Sequence, residues 1–306
     1  MRCSVLLAVC VSVLLTGCNR QPSSNVFIDP ALAVLVPPDT IALAGVRMNQ
    51  LAKTPFYREW IEKRRLTFVE DFRRRTGLDP TKDLWELLIT SDGKSGLVLV
   101  RGRFAEHGRE PKLDLEGARR FSYKSYTLIG NDETAVVFLN PTTAAAGRTP
   151  DLHRLIDRRH EVTGLPPALE SRARAMPSTN QAWFVVNVAG QLPASLGAEA
   201  PGMLSGLARM AGTLQFVSGA VDLRQAFRAN VTAEAGTEQE AEQIRGALRA
   251  LLGLGRLNTR EDRREMLTVF DGMQVSRESK VVRFSTDIPF DLLEKAAAQI
   301  PALRGK

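Results

Sequence analysis

Three side chains in the middle of the chain, His153, Asp157 and His160, have the types and the spacing of a metal site. On a helix these positions are i, i+4 and i+7, so the three side chains share one face. Two imidazoles and a carboxylate could hold Zn²⁺ or Fe²⁺ with an open position for water. Three arginines interleave with them and oppose a bound divalent cation. The favoured interpretation is therefore a partly exposed His–Asp pair, with no metal and no other cofactor.

Residues for other catalytic chemistry are scarce. His107 is the one further histidine, and it lies in a polar stretch. The Gly-x-Ser-x-Gly elbow of α/β-hydrolases is missing from the sequence. The sequence thus predicts no catalytic residues. An envelope hydrolase with an unrecognised site stays open as an alternative, and a cluster of buried acids with shifted pKa values would favour it.

Two short basic blocks could bind anions, namely Lys63-Arg64-Arg65 and Arg73-Arg74-Arg75. Acidic residues interleave with both blocks, which favours a solvated, salt-bridged helix face. The alternative is a patch that faces the anionic headgroups of a membrane. Nucleic acid is not an expected partner, because no recognition motif is present and no aromatic residues lie among the cations.

The N-terminus carries the most specific motif of the chain. Arg2 is the one charged residue of a short leader, and the apolar run at 3–15 falls short of the ~20 residues that a bilayer span needs. The leader ends in Leu15-Thr16-Gly17-Cys18, which resembles the lipobox of bacterial lipoproteins. The resemblance implies removal of residues 1–17, a diacylglyceryl group on the Cys18 thiol, and acylation of the new amine. An ordinary cleaved signal peptide is the alternative.

The remaining cysteines agree with this interpretation. Cys3 and Cys10 belong to the leader, so the mature chain would keep only the lipidated Cys18 and could form no disulfide. Residues 18–30 are expected to hold the lipid and a polar tether. Asn19 implies, within the lipoprotein family of bacteria with two membranes, an outer-membrane location facing the periplasm. The formal net charge of +7 fits a protein held close to anionic headgroups.

The composition is that of a globular protein, with 44% hydrophobic and 25% charged residues. Residues 31–165 are expected to form a first half. The pattern predicts a strand at 41–46, a helix from Pro55 to a stop at Gly77, and a second helix from Asp79 through Leu88. Strands are predicted at 97–100, 123–129 and 135–139, and a helix over 150–160.

Residues 178–306 are expected to form a similar second half. Gln50-Leu51, after the first strand, recurs as Gln191-Leu192 after a strand at 182–186, 141 residues later. Val136 to Phe138 likewise resembles the stretch at 281–284, at an offset of 145. A hairpin is predicted around 227–231, a capping box at 237–240, and a last helix from Pro289. The sequence therefore predicts an α+β fold of two duplicated halves, each an antiparallel sheet with helices on one face.

These features favour a lipid-anchored, non-enzymatic cell-envelope protein that binds another envelope component, such as a protein, or forms part of an assembly. A carrier of apolar ligands, with a cavity between sheet and helices, is the first alternative. The stretches at 38–46 and 77–80, Pro-Asp-Thr-Ile-Ala-Leu-Ala-Gly-Val and Gly-Leu-Asp-Pro, also resemble a group of uncharacterised bacterial lipoproteins. That resemblance implies no chemistry.

Overall fold

The structure is a computed structural model that describes residues 28–63, 67–104, 113, 117–161, 164–189, 212–260 and 262–298. Over these residues the chain is an α+β protein built on an antiparallel sheet, as the sequence predicts. The strands are β1 (Ala42–Val46), β2 (Leu84–Ser91), β3 (Gly96–Gly102), β4 (Arg119–Tyr123), β5 (Tyr126–Gly130), β6 (Thr134–Asn140), β7 (Thr143–Arg148), β8 (Ala182–Asn187), β9 (Leu214–Asp222), β10 (Ala226–Ala235), β11 (Met273–Glu278) and β12 (Val281–Pro289).

The helices flank this sheet, and one of them is a π-helix. The helices are α1 (Pro30–Ala33), α2 (Met48–Leu51), the π-helix (Tyr57–Glu62), α3 (Thr67–Thr76), α4 (Thr149–Asp157), α5 (Pro167–Arg174), α6 (Glu238–Leu257), α7 (Arg264–Asp271) and α8 (Phe290–Ala298). No helix in the described ranges is both long and apolar enough to cross a membrane.

The sheet is continuous, which differs from the expectation of one sheet per half. Its 12 strands run in the order β11-β12-β10-β9-β8-β1-β2-β3-β7-β6-β5-β4. The two halves meet where β1 pairs antiparallel with β8, from Ala42 opposite Val186 to Val46 opposite Ala182. Pairing of these two strands satisfies the backbone groups that each would otherwise expose at a sheet edge.

Strand order repeats outward from this central pair. On one side β1 is followed by the β2–β3 hairpin and then by β7 and β6; on the other, β8 is followed by the β9–β10 hairpin and then by β12 and β11. The counterpart of β1 is thus β8, as the first sequence match indicates. The second match aligns β6 with β12, whereas the strand order makes β11 the counterpart of β6. Duplication of the chain stays a prediction.

Helices pack on both faces of the sheet rather than on one. The first face, which carries Leu43, Leu88 and Val185, packs against α1, α4 and α5. The second face, which carries Val46, Leu87 and Val100, packs against α2 and the π-helix. Strand register continues this second face into β10 and β12, where α6, α7 and α8 cover it.

The helix predicted from Asp79 through Leu88 is wrong, because Leu84–Ser91 is a strand. Glu86, Leu88 and Thr90 are buried alternately with more exposed neighbours, the two-residue period of a pleated strand. The predicted helix over 55–76 is divided into the π-helix and α3, and it ends before Gly77, whose φ of +70° suits a helix stop. The predicted capping box is confirmed, with Thr237 and Glu240 bonded reciprocally at 2.8 and 3.2 Å.

Candidate ligand cavity

A cavity of about 570 Å³ lies between the second face of the sheet and the helices α2, π and α3. We call it the sheet–helix cavity. Its size is within the ~300–1,000 Å³ range of small-molecule sites. Strands β2, β3, β6 and β7 form its floor, and the described lining residues are nearly all apolar.

Strand alternation builds the floor. Leu87, Val100 and Phe138 point to the second face because their neighbours along each strand are buried in the first-face core. Ala144 and Ala146 of β7 lie on the same face, and their methyl groups are too small to fill the space beneath the helices. The cavity therefore arises from small residues in the middle of an otherwise bulky apolar floor.

The roof comes from the π-helix and α3. Tyr57 and Ile61, four residues apart, line the cavity from the π-helix, and Val69 and Phe72 line it from α3. Thr54 fixes the start of the π-helix, since its Oγ1 accepts a hydrogen bond from the Tyr57 N–H at 3.1 Å. Short π-helical segments are frequently found at functional sites. The sequence carries no signal that predicts this one.

Only two of the described lining side chains, Tyr57 and Thr76, have a hydroxyl group. The Thr76 hydroxyl donates to the Phe72 carbonyl at 2.7 Å and accepts from the Leu78 N–H at 3.1 Å, so it is satisfied within its own helix end. Burial raises the pKa of the Tyr57 phenol. The described side chains of this wall include no His, Cys, Asp or Glu, and so no paired acid and base.

The three candidate metal ligands do not share one helical face. Helix α4 ends at Asp157, so His160 lies in the following turn and not on the helical face that carries His153. The Asp157 carboxylate accepts from the Tyr123 hydroxyl at 3.0 Å and pairs with Lys124 at 2.5 Å. The His153 ring stacks on Tyr123 with ring centroids 3.7 Å apart. No metal-binding group of three or more His, Cys, Asp or Glu occurs among the described residues.

The basic blocks carry ion pairs, as the salt-bridged interpretation expects. The described pairs are Lys63–Glu59 at 2.5 Å, Arg73–Glu70 at 3.3 Å, Arg73–Asp79 at 3.4 Å and Arg74–Asp71 at 2.6 Å. Arg75 is exposed. Arg64 and Arg65 lie outside the described residues, as does Cys18 with its leader and most of the tether.

A buried charge network occupies the other face of β2. Glu86 is 8% exposed, and burial raises its pKa to about 7 although Arg47 acts in the opposite direction. Its Oε2 accepts from the Asp29 N–H at 3.4 Å, while Asp29 itself pairs with Arg101 at 2.8 Å. Glu86 follows the first-face alternation of β2 and is absent from the cavity lining, so this acid and the cavity are separate.

No protein-family model and no curated protein matches the chain. Among solved structures, three crystal forms of the protein TP0453 are similar to it. Form I has a TM-score of 0.47 at 10% identity, covering 93% of this chain and all of that one. Form III has a TM-score of 0.47 at 12% identity and covers 90% of this chain and 99% of the other. Form IV has a TM-score of 0.46 at 10% identity and covers 86% and 96%.

Proposed function

We propose that this chain is a lipid-anchored cell-envelope protein that binds an apolar ligand in the sheet–helix cavity. The single observation that carries the proposal is the cavity itself, about 570 Å³ with an almost wholly apolar wall. Apolar surface that leaves water gains about 25 cal/mol per Å². An elongated apolar molecule can therefore bind here by burial alone.

The composition of the wall favours binding over catalysis. Apart from Tyr57 and Thr76, its described side chains bear no group that could donate or accept a proton. Glu86, the described acid whose pKa is raised furthest, lies on the opposite face of β2. We therefore propose a holding or carrying role and assign no reaction.

The proposed anchor supports the choice of ligand. A lipid on Cys18 and a tether of about ten residues, at ~3.5 Å per extended residue, would hold the folded part close to a bilayer. A bilayer supplies molecules with long apolar chains. Asn19 supports an outer-membrane site facing the periplasm, and the envelope component bound is then a small apolar molecule rather than a protein.

Filling the cavity tests the proposal. Ala146 of β7 lies opposite Val98 and Val136, and all three residues line the cavity. Ala146→Phe should abolish the fluorescence enhancement of an apolar dye that binds the parent protein. The control is Ala42→Phe, a partly buried alanine on the same face of the sheet and outside the cavity lining. Equal dye binding by parent and Ala146→Phe would contradict the proposal.

A further inference from the structure

The hydroxyl of Tyr57 is a polar group of the cavity wall that no described residue uses as a hydrogen-bond partner. Tyr57 is 3% exposed and lines the cavity. Within the described part of the chain its hydroxyl has no hydrogen-bond partner, whereas that of Thr76 has two contacts. A hydroxyl without a protein partner in an apolar wall can donate to a polar group of a bound molecule.

Local hydrogen bonds brace the backbone at Tyr57. Tyr57 opens the π-helix, and its N–H is held by Thr54 Oγ1 at 3.1 Å. The Thr54 hydroxyl in turn donates to the Leu51 carbonyl at 2.7 Å, which ties the π-helix to the end of α2. Tyr57 therefore lines the cavity from a braced segment rather than from a loop.

Charges near the phenol favour an uncharged ligand group. Arg73 is the described cation that acts on the phenol, and Glu70 at 3.3 Å and Asp79 at 3.4 Å already pair with it. Burial raises the pKa of the phenol, Arg73 lowers it, and Asp79 and Glu62 raise it; the net shift is upward, so the phenol stays protonated at neutral pH. A protonated phenol donates a hydrogen bond. A carboxylate or phosphate in this apolar space would lose its hydration, while two carboxylates already offset the charge of Arg73.

We infer that the ligand is an uncharged acyl compound, with its chain along the apolar floor and an ester or amide carbonyl accepting a hydrogen bond from Tyr57. This inference rests on the proposed function and names the ligand class for the same site. It assigns Tyr57 the role of a specificity-determining residue. The carbonyl fixes which end of the chain lies at the π-helix.

Displacement of an apolar dye by three probes tests the inference. The probes are methyl palmitate, palmitate and hexadecane, which differ only at one end of the chain. Tyr57→Phe removes the hydroxyl and should weaken methyl palmitate about 3- to 10-fold, the range of one net hydrogen bond, while hexadecane binds unchanged. Tyr126→Phe, a tyrosine that packs against the first-face core, is the matched control and should change neither affinity.

A measurement on the unaltered protein makes the test independent of the variant. The carbonyl stretch of bound, isotope-labelled methyl palmitate should shift to lower frequency than in hexadecane solution, because the carbonyl accepts a hydrogen bond. Three results would overturn the inference: an unshifted carbonyl stretch, equal affinity of methyl palmitate for the parent and Tyr57→Phe, or tighter binding of palmitate than of methyl palmitate. If hexadecane still binds in any of these cases, the apolar cavity remains a binding site and only the role of Tyr57 is refuted. If none of the three probes binds, the proposed function itself fails.

Discussion

Gly45 of β1 lies directly opposite Trp183 of β8, and the indole ring covers the glycine at the junction of the two halves. A Cβ on Gly45 would lie 2.6 Å from Cζ2 of Trp183, well inside van der Waals contact. The indole is 3% exposed, so it has no open space to move into. Glycine at this position lets the junction close.

Gly45→Ala should therefore destabilise the protein by about 2 kcal/mol, the usual cost of overpacking a core. Urea unfolding followed by tryptophan fluorescence measures the change. Gly246→Ala in α6 is the control, because an added Cβ there meets nothing within 4 Å and should stabilise slightly. Pairing Gly45→Ala with Trp183→Leu should give less than the sum of the two single losses. Additive losses would show that the indole is not the obstacle.

Glu86 makes stability depend on pH. Its pKa is about 7 in the folded protein and near 4.5 when unfolded, so folding favours the protonated acid. The folded state therefore loses stability as pH rises from about 4.5 to about 7, and the loss is constant above that. Glu86→Gln should raise the free energy of unfolding at pH 8 by up to about 3 kcal/mol and have little effect at pH 4. Glu133→Gln removes an exposed acid and should leave the free energy of unfolding unchanged at both pH values. A Glu86→Gln effect of the same size at pH 4 and pH 8 would refute the raised pKa of Glu86.

Arg172 joins α5 to the strands of the second half. Its guanidinium donates two hydrogen bonds to Glu234, at 2.8 and 2.6 Å, and lies 3.4 Å over the ring of Phe216. Lysine cannot reproduce the planar two-point contact. Arg172→Lys should lower the melting temperature, at a cost of about 1 kcal/mol, whereas Arg174→Lys in an exposed i,i+4 pair should cost less than about 0.5 kcal/mol. Equal losses of stability in Arg172→Lys and Arg174→Lys would show that the Arg172 contact adds no more stability than an exposed ion pair.

Cys18→Ser tests the anchor. Without the thiol no diacylglyceryl group can be attached, so the variant should move from the membrane pellet to the supernatant on fractionation of cells. Because the mature chain would have no other thiol, reducing agent should not change its melting temperature. Retention of Cys18→Ser in the pellet after a salt wash would point to another membrane attachment.

Local patterns predicted the elements whose own residues determine them. The capping box at Thr237 and Glu240 depends on four neighbouring residues, and it starts α6 as expected. The segment from Leu84 to Leu88 is not determined by its own residues. The spacing of its leucines is compatible with a helix, and it forms a strand because it pairs with β1 and β3. The structure of such a segment depends on tertiary contacts, which the local sequence pattern does not contain.

The sequence allows a cavity between sheet and helices to be considered, but it does not indicate which residues line it. Its floor includes β7, whose Thr-Ala-Ala-Ala-Gly-Arg sequence lacks the β-branched and aromatic residues typical of strands and was not predicted as one. Its roof includes a π-helix, in which each backbone hydrogen bond spans five residues instead of the four of an α-helix. The spacing of the apolar residues does not reveal this difference. The space between them depends on Ala144 and Ala146 meeting a helix some 80 residues earlier in the chain.

The position of a bound alkyl chain, marked by a heavy atom in a crystal, tests the central claim most directly. Crystals grown with 1-bromohexadecane would give an anomalous peak at the bromine. We expect that peak inside the sheet–helix cavity, among residues such as Val100 and Phe138, and its loss in Ala146→Phe. Anomalous peaks at other surfaces only, or none at saturating 1-bromohexadecane, would contradict an apolar-ligand site between this sheet and these helices.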